Sequence, residues 1–176
     1  GILEEKLAEF NNAEAYNQKV NDQKKLDIIY KKALHDQELS IAELRFLYEV
    51  DKPIGCFVGP ADPRVANIIQ DRNIEKDLLK ALQCRRDEIS LGQENPVRGN
   101  IKFRMGHIKK PYITAAEELI LPEVVHGDID YYLLTSAGTL ISPKVVYGKY
   151  DLRALKRFWK LELPELVRGT FNMNSV

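Results

Sequence analysis

The second half of the chain repeats itself every 21 residues, and this period restricts the possible folds more than any other feature of the sequence. Three kinds of residue keep the same phase through three copies of the repeat. They are Gly127, Gly148 and Gly169, Pro122, Pro143 and Pro164, and Leu119, Leu140 and Leu161. A repeat of fixed length folds as a solenoid, because each unit buries its apolar face only against the next unit.

Each copy contains one segment of the form Val-x-Gly-x-apolar-polar-apolar. The predicted strands are residues 97–103, 125–131, 146–152 and 167–173, and an insertion lies between the first and the second. Residues one, five and seven of each strand share a face, since side chains alternate along a strand. The prolines start the strands without needing a ladder donor, and the glycines indicate a tight bend or a close approach of backbones.

Residues 1–92 follow helical spacing instead. Leu3, Leu7, Phe10 and Ala13 recur at that spacing, and we expect them in a core. Helix starts are predicted at Ser40, at Asp62 before Pro63, and at Asn73.

The charges change at the same place as the pattern. The chain has 26 acidic and 26 basic side chains, but residues 1–96 carry 18 acidic and 14 basic ones, and residues 97–176 carry 8 and 12. The sequence therefore predicts an α+β protein, in which a helical N-terminal unit (1–92) caps a short parallel-strand solenoid (97–176).

A period of 21 residues with leucines, a proline and a short strand resembles the leucine-rich repeat, whose units span about 20 to 29 residues. The helical half, with Glu43-Leu-Arg-Phe-Leu-Tyr-Glu49 and Asp62-Pro-Arg-Val65, is similar to the N-terminal segment of bacterial proteins with glycine-marked repeats. That group brings no known activity with it. The resemblance to leucine-rich repeats implies that the exposed strand face is a binding surface.

The side chains at even strand positions are therefore the candidate protein-binding residues. They are Arg98, Asn100, Lys102, His126, Asp128, Asp130, Tyr147, Lys149, Asp151, Arg168, Thr170 and Asn172. A rigid sheet orders such side chains at little entropic cost when a partner binds. The alternative is a solvated sheet face without a partner.

The same face allows a second interpretation as a metal or hydrolytic site. His126, Asp128 and Asp130 lie along one strand, and Asp151 is expected beside Asp130. Carboxylates and imidazole are ligands for hard or borderline cations, but alternate strand residues diverge rather than converge. No nucleophile motif accompanies them, so the sequence predicts neither a catalytic residue nor a cofactor, and the protein is not expected to be an enzyme.

A third interpretation is nucleic-acid binding by the segments that return the chain between strands. Lys144, Lys149, Arg153, Lys156, Arg157 and Lys160 cluster with Tyr147, Tyr150, Phe158 and Trp159. Cations neutralise phosphates and aromatic rings stack on bases. We nevertheless expect Tyr150, Phe158 and Trp159 to pack in the core, which leaves a solvated basic rim.

The remaining features set the cellular context. No apolar run is long enough to span a membrane, so no membrane partner is expected. Two cysteines are too few for a disulfide framework and favour a cytoplasmic location.

The fourth predicted strand lacks a polar cap, which suggests a piece of a longer repeat protein or self-association through the open end of the solenoid. We predict a non-catalytic module that binds another protein.

Overall fold

A computed structural model describes residues 1–92, 96–97 and 99–174 of the chain. These residues divide into two compact units, Gly1–Gln83 and Cys84–Val176. The first unit is helical and the second contains the parallel strands, so the α+β class is confirmed. The role of the helical unit as a cap stays a prediction.

Four α-helices form within the first unit. Their bounds are α1 Ile2–Leu34, α2 Ile41–Leu47, α3 Pro63–Ile69 and α4 Ile74–Leu82. The three predicted helix starts are confirmed, because a side-chain oxygen accepts a backbone N–H of the first turn in each case. These oxygens belong to Ser40, Asp62 and Asn73.

The core of the helical unit begins only in the second half of α1. Leu26 and Ile29 are buried there, as are Leu44 and Leu47 of α2, which α1 contacts. Residues 1–19 are all exposed, and Leu3, Leu7 and Phe10 are 82%, 60% and 63% accessible. The expectation that these residues lie in a core is wrong, because this unit leaves Leu3, Leu7 and Phe10 uncovered. Further along α1, the ring of Tyr16 lies 5.5 Å from that of Phe57.

The second unit is a β-solenoid with a 21-residue spacing and three parallel sheets. The strands are β1 Ile89–Ser90, β2 Phe103–Met105, β3 Ile108–Lys109, β4 Ala115–Ile120, β5 Val124–His126, β6 Ile129–Asp130, β7 Ser136–Ile141, β8 Val145–Val146, β9 Tyr150–Leu152, β10 Arg157–Glu162, β11 Leu166–Val167 and β12 Phe171–Met173. The sheet orders are β1-β2-β5-β8-β11, β3-β6-β9-β12 and β4-β7-β10. A leucine-rich repeat has one strand per unit, whereas each complete turn here has three.

Each of the three later predicted strands is interrupted at its glycine. The segment predicted as 125–131 forms β5 and β6, the segment 146–152 forms β8 and β9, and the segment 167–173 forms β11 and β12. The chain turns a corner at the glycine and passes from one sheet to the next. The return segments add β4, β7 and β10, so the prediction of four strands is too low.

The first turn of the solenoid is not the predicted one. β2 pairs with β5 in the register Phe103 with Val124, and Gly106 therefore takes the place that Gly127 has in the next turn. The period of 21 residues continues without an insertion, and Gly99 lies outside it. The predicted copy at 97–103 contains Arg98, which lies outside the described residues.

The boundary between the units also differs from the predicted one. β1 lies within residues 1–92, yet it pairs in parallel with β2 at the edge of the first sheet. The helical unit ends at Gln83, which is in the left-handed region after α4. The short strand escaped prediction because two residues carry no measurable period.

The inward positions of the solenoid are confirmed. Val125, Ile129, Tyr150 and Leu140 are at most 1% accessible, and the leucines of β4, β7 and β10 stack in register. Within this interior, the Tyr150 hydroxyl and Ser142 Oγ are hydrogen-bonded at 2.7 Å. The last turn is less enclosed, since Val167, Phe171 and Met173 are partly buried.

None of the helices in the described part of the chain has both the length and the hydrophobicity that a bilayer span requires.

Candidate interaction surface

The glycine column fixes the corner between the first and second sheets. A Cβ on Gly148 would lie 2.5 Å from the carbonyl oxygen of Gly127, and a Cβ on Gly169 would lie 2.5 Å from that of Gly148. No side chain fits at such a distance. The backbones of successive turns therefore stack directly at this corner, as the sequence predicts, and the residues on either side of it are held in a constant register.

Three columns of side chains flank this corner on the outside of the solenoid. We call them the outer columns, and they consist of Met105, His126, Tyr147 and Arg168, of His107, Asp128, Lys149 and Thr170, and of Lys109, Asp130, Asp151 and Asn172. All twelve are half-buried or exposed, and no member is buried. The structure thus brings together the nine predicted candidates of the three later turns.

The three candidates of the predicted first turn are not part of the outer columns. Asn100 and Lys102 precede β2, and the Lys102 N–H donates to the Glu88 carbonyl at 2.7 Å. Arg98 lies outside the described residues. Met105, His107 and Lys109 hold the corresponding places because the true register starts from Gly106. The sequence analysis did not identify these three residues, because Arg104 and Lys110 occupy the first and last positions of the strand pattern, where apolar residues are expected.

Arg104 closes the first turn of the solenoid with polar contacts. It stands in register with the inward-pointing Val125, and its guanidinium donates to Ser90 Oγ at 2.7 Å, to the Gly92 carbonyl at 2.8 Å and to the His107 carbonyl at 3.1 Å. A cation with several acceptors can replace an apolar side chain here because these hydrogen bonds offset its desolvation.

An aromatic stack runs across successive turns in the first outer column. The rings of His126 and Tyr147 are parallel within 14°, with centroids 4.0 Å apart, and Phe103 lies 5.0 Å from His126 on the other side. Stacking fixes the Tyr147 ring, which is half-buried. Tyrosine held in this way presents a large amphipathic surface at low entropic cost, which is why it is enriched in protein interfaces.

The second outer column contains a ladder of side-chain acceptors. His107 Nδ1 accepts the backbone N–H of Asp128 at 2.8 Å, and Asp128 Oδ1 accepts the backbone N–H of Lys149 at 2.8 Å. Each acceptor satisfies an N–H of the following turn at the glycine corner, so Asp128 stabilises the solenoid in addition to lining its surface.

Asp130 and Asp151 in the third column shape the turns that follow them. Asp130 Oδ1 accepts the N–H of Tyr132, and Asp151 Oδ1 accepts the N–H of Arg153, both at 3.1 Å. Arg153 also forms an ion pair with Asp151 through Nη2. This side-chain hydrogen bond is the main reason that the pKa of the Asp151 carboxyl lies below its ordinary value, against the opposing effect of burial. Both aspartates are turn-forming residues, and Asp151 has Arg153 as its counter-ion.

The metal interpretation gains no support from these positions. Within residues 1–92, 96–97 and 99–174, no three His, Cys, Asp or Glu side chains are arranged so that they could hold a metal ion. The hydrolase alternative stays a prediction.

The return segment of the last complete turn departs from its predicted packing. Trp159 in β10 is 93% accessible and Phe158 is 37% accessible, although both were expected in the core. Phe158 is in register with the buried Ala137, but it lies on β10, an edge strand of the third sheet. Trp159 is outside the register of paired residues between β10 and β7. Tyr150, by contrast, is fully buried as expected.

The helical unit contains a cavity of about 400 Å³ that the sequence did not indicate. In its wall, Asp77 accepts hydrogen bonds from the Tyr48 hydroxyl at 2.7 Å and from Arg72 Nε at 2.6 Å. Burial raises the pKa of Tyr48, and the hydrogen bond to Asp77 raises the pKa of Arg72. These residues come from separate segments, so no local pattern could have found the network. Its members satisfy one another, which is typical of a structural network between α2 and α4.

Protein-family models, curated proteins and solved structures were each compared with the chain, and none of them matches it.

Proposed function

We propose that the protein is a non-catalytic binding module that recognises another protein through the outer columns of its solenoid. The observation that carries the proposal is the fixed spacing of twelve half-buried or exposed side chains on a corner where successive backbones stack. Such a surface needs little ordering on binding, so that more of the interaction energy is available as affinity.

The chemistry of the outer columns supports a protein partner over a small ligand. Tyr147 supplies a stacked aromatic group, Lys149 and Arg168 supply exposed cations, and Thr170 and Asn172 supply neutral polar groups. Protein interfaces combine an aromatic anchor with a polar surround in this manner. Small-molecule sites are concave, whereas the outer columns follow a convex corner between two sheets.

The test is a comparison of partners captured by two matched double variants. Tyr147→Ala/Lys149→Glu alters the outer columns, and Trp159→Ala/Lys160→Glu makes equivalent changes on β10. Circular dichroism first establishes that both variants keep the solenoid. We expect proteins that co-purify with the wild type to be lost with the first variant and retained with the second. Identical partners for the first variant and the wild type would contradict the proposal.

Nucleic-acid binding is a second candidate, because Trp159 is almost fully accessible instead of packed in the core. Lys156, Arg157 and Phe158 are neighbouring exposed residues. A tryptophan beside cations can stack on a base while the cations neutralise phosphates. Residues 97–176 carry 12 basic and 8 acidic side chains, which also favours a polyanion.

The same two double variants test this second candidate with the roles exchanged. Fluorescence anisotropy with a labelled single-stranded oligonucleotide should show binding that weakens steeply with salt. Trp159→Ala/Lys160→Glu should abolish it and Tyr147→Ala/Lys149→Glu should preserve it. Binding that is insensitive to salt, or equal in all three proteins, would exclude this candidate. The leucine-rich-repeat relationship and the cytoplasmic location stay predictions beside both candidates.

A further inference from the structure

We propose that two copies of the chain associate through α1, with the exposed first half of each α1 lying antiparallel in an apolar groove beside the second half of the other copy's α1. The inference concerns the helical unit and is independent of the function proposed for the solenoid. It starts from two surfaces of the same helix that the fold of one chain leaves uncovered.

The first surface is an apolar stripe on the first half of α1. Leu3, Leu7 and Phe10 follow one another at intervals of four and three residues, which places them on one face of a helix. Each is more than half accessible. Most of the stability of a helix in a protein comes from the packing of an apolar face, so the stripe is the face that a partner would cover.

The second surface is a groove of about 290 Å³ between the second half of α1 and α2. Ile28 and Ile29 of α1 and Ala42 and Phe46 of α2 form its apolar walls, and Ile28 is 55% accessible. Lys25 lies at its rim, with Nζ 5.7 Å from the centre of the Phe46 ring. Lys32 and Glu43 also line the groove and form an ion pair at 2.8 Å. The groove is thus apolar at its base, with Lys25 as the cation at its edge that is not paired with Glu43.

A single chain cannot bring these two surfaces together. α1 is one continuous helix of 33 residues, about 50 Å long at the usual rise per residue. The stripe and the groove lie at opposite ends of this rod, and they lie on the same face of it, because Ile28 and Lys32 continue the helical spacing of Leu3, Leu7 and Phe10. A helix of another chain can fill the groove, and an antiparallel second copy supplies one at both ends at once.

The charges identify the second copy as the occupant. Residues 2–18 carry four acidic side chains and one lysine, whereas residues 19–34 carry five lysines and two aspartates. Glu4 lies beside the apolar stripe and Glu14 continues it, and Lys24 and Lys25 have the corresponding places next to the groove. Antiparallel pairing sets each acidic half against a basic half, while parallel pairing would set like charges together.

The experiment measures association by sedimentation velocity over a range of concentrations, with charge variants designed for this arrangement. Glu4→Lys/Glu14→Lys places cations against the basic half of the other copy, and Lys24→Glu/Lys25→Glu places acids against the acidic half. The matched control is Glu5→Lys/Glu9→Lys, which makes the same change of charge on the opposite face of α1. All six positions are exposed, so each variant should fold.

We expect the wild type and the Glu5→Lys/Glu9→Lys control to dimerise with dissociation constants that agree within about threefold. Each of the other two variants should dimerise at least tenfold more weakly by itself, and an equimolar mixture of the two should recover a heterodimer. A wild type that stays monomeric at all concentrations would overturn the proposal. So would a dimer that the Glu4→Lys/Glu14→Lys variant retains, because that result would place the contact elsewhere, such as at the open end of the solenoid.

Discussion

The first half of α1 and the turns of the solenoid both carry apolar residues at regular intervals, yet only the solenoid buries them within the chain. In the solenoid, Leu119, Leu140 and Leu161 stack because the next turn presents the same residue at the same place. In α1, Leu3, Leu7 and Phe10 stay exposed because nothing in the helical unit reaches them.

The difference shows what a periodic pattern does and does not determine. It indicates which apolar residues share a face, as Leu119, Leu140 and Leu161 do in the solenoid and Leu3, Leu7 and Phe10 do on α1. It does not determine which surface covers that apolar face, except in a repeat, where the next copy of the unit provides the covering surface. Four substitutions and their controls test this comparison.

The largest effect is expected from Gly148→Ala. The new Cβ would meet Asp128 Oδ1 and would also lie 2.5 Å from the Gly127 carbonyl oxygen, a backbone atom that cannot move aside as a side chain can. We expect the free energy of unfolding to fall by about 3 kcal/mol, measured by chemical denaturation followed by circular dichroism. The control in α1 is Ala13→Val, which adds more carbon at an exposed position and should cost only about 0.5 kcal/mol. Equal losses would mean that the turns do not stack at the glycine corner.

The next effect comes from removing equivalent leucine side chains in the two regions. Leu140→Ala leaves a cavity at a fully buried position and should lower the free energy of unfolding by about 2 to 3 kcal/mol. Leu7→Ala, measured at concentrations where the chain is monomeric, should change it by less than about 0.5 kcal/mol. A comparable loss at Leu7 under these conditions would show that the stripe is packed within one chain.

A smaller effect is expected at the acceptor ladder of the glycine corner. Asp128→Ala removes the acceptor of the Lys149 N–H and should cost about 1 kcal/mol, the usual net value of such a hydrogen bond. Asp128→Asn keeps an oxygen at this place and should restore most of that loss. If the asparagine variant is as unstable as the alanine variant, the charge of Asp128 and not the hydrogen bond is what stabilises the turn.

The smallest effect concerns the pH dependence that Asp151 contributes. Its pKa is lower in the folded protein than the ordinary value of 3.8, mainly because of the hydrogen bond from Arg153. The stabilisation is therefore complete above the ordinary pKa, and it disappears as the pH falls through the lower folded pKa. Asp151→Asn should flatten the fall in denaturation midpoint between about pH 5 and pH 2. If the denaturation midpoint of the variant falls with decreasing pH as steeply as that of the wild type, the ion pair between Asp151 and Arg153 does not contribute measurably to stability.

Much of the solenoid could be predicted, because the residues that define its fold lie within each 21-residue unit and recur in the next one. The glycine column, the inward positions and the outward positions of three turns follow from alternation and phase alone. The first turn could not be placed, because Arg104 and Lys110 stand where the other turns have apolar residues, and the Val97-Arg-Gly segment imitates the pattern nearby. The hydrogen bonds that make Arg104 acceptable come from Ser90, Gly92 and His107, which no pattern connects to it.

The sequence predicted which residues lie on the candidate surface, but it did not predict the hydrogen bonds that each of them forms. Tyr147 and Lys149 were placed on the outside from their spacing. The turn-forming contacts of Asp130 and Asp151, and the acceptor role of Asp128, depend on the corner between sheets that the continuous predicted strands lacked. The exposure of Trp159 escaped prediction for a similar reason, since the return segments were not predicted to contain strands with two distinct faces.

The most direct test of the binding surface is site-specific photocrosslinking in the native cells. A photoreactive phenylalanine analogue replaces Tyr147 in one protein and Trp159 in another, and crosslinked products are separated by size and identified by mass spectrometry. The account predicts a discrete protein adduct from position 147 and no such adduct from position 159. Adducts from position 159 alone, or no adduct from position 147 while the protein is folded and abundant, would contradict it.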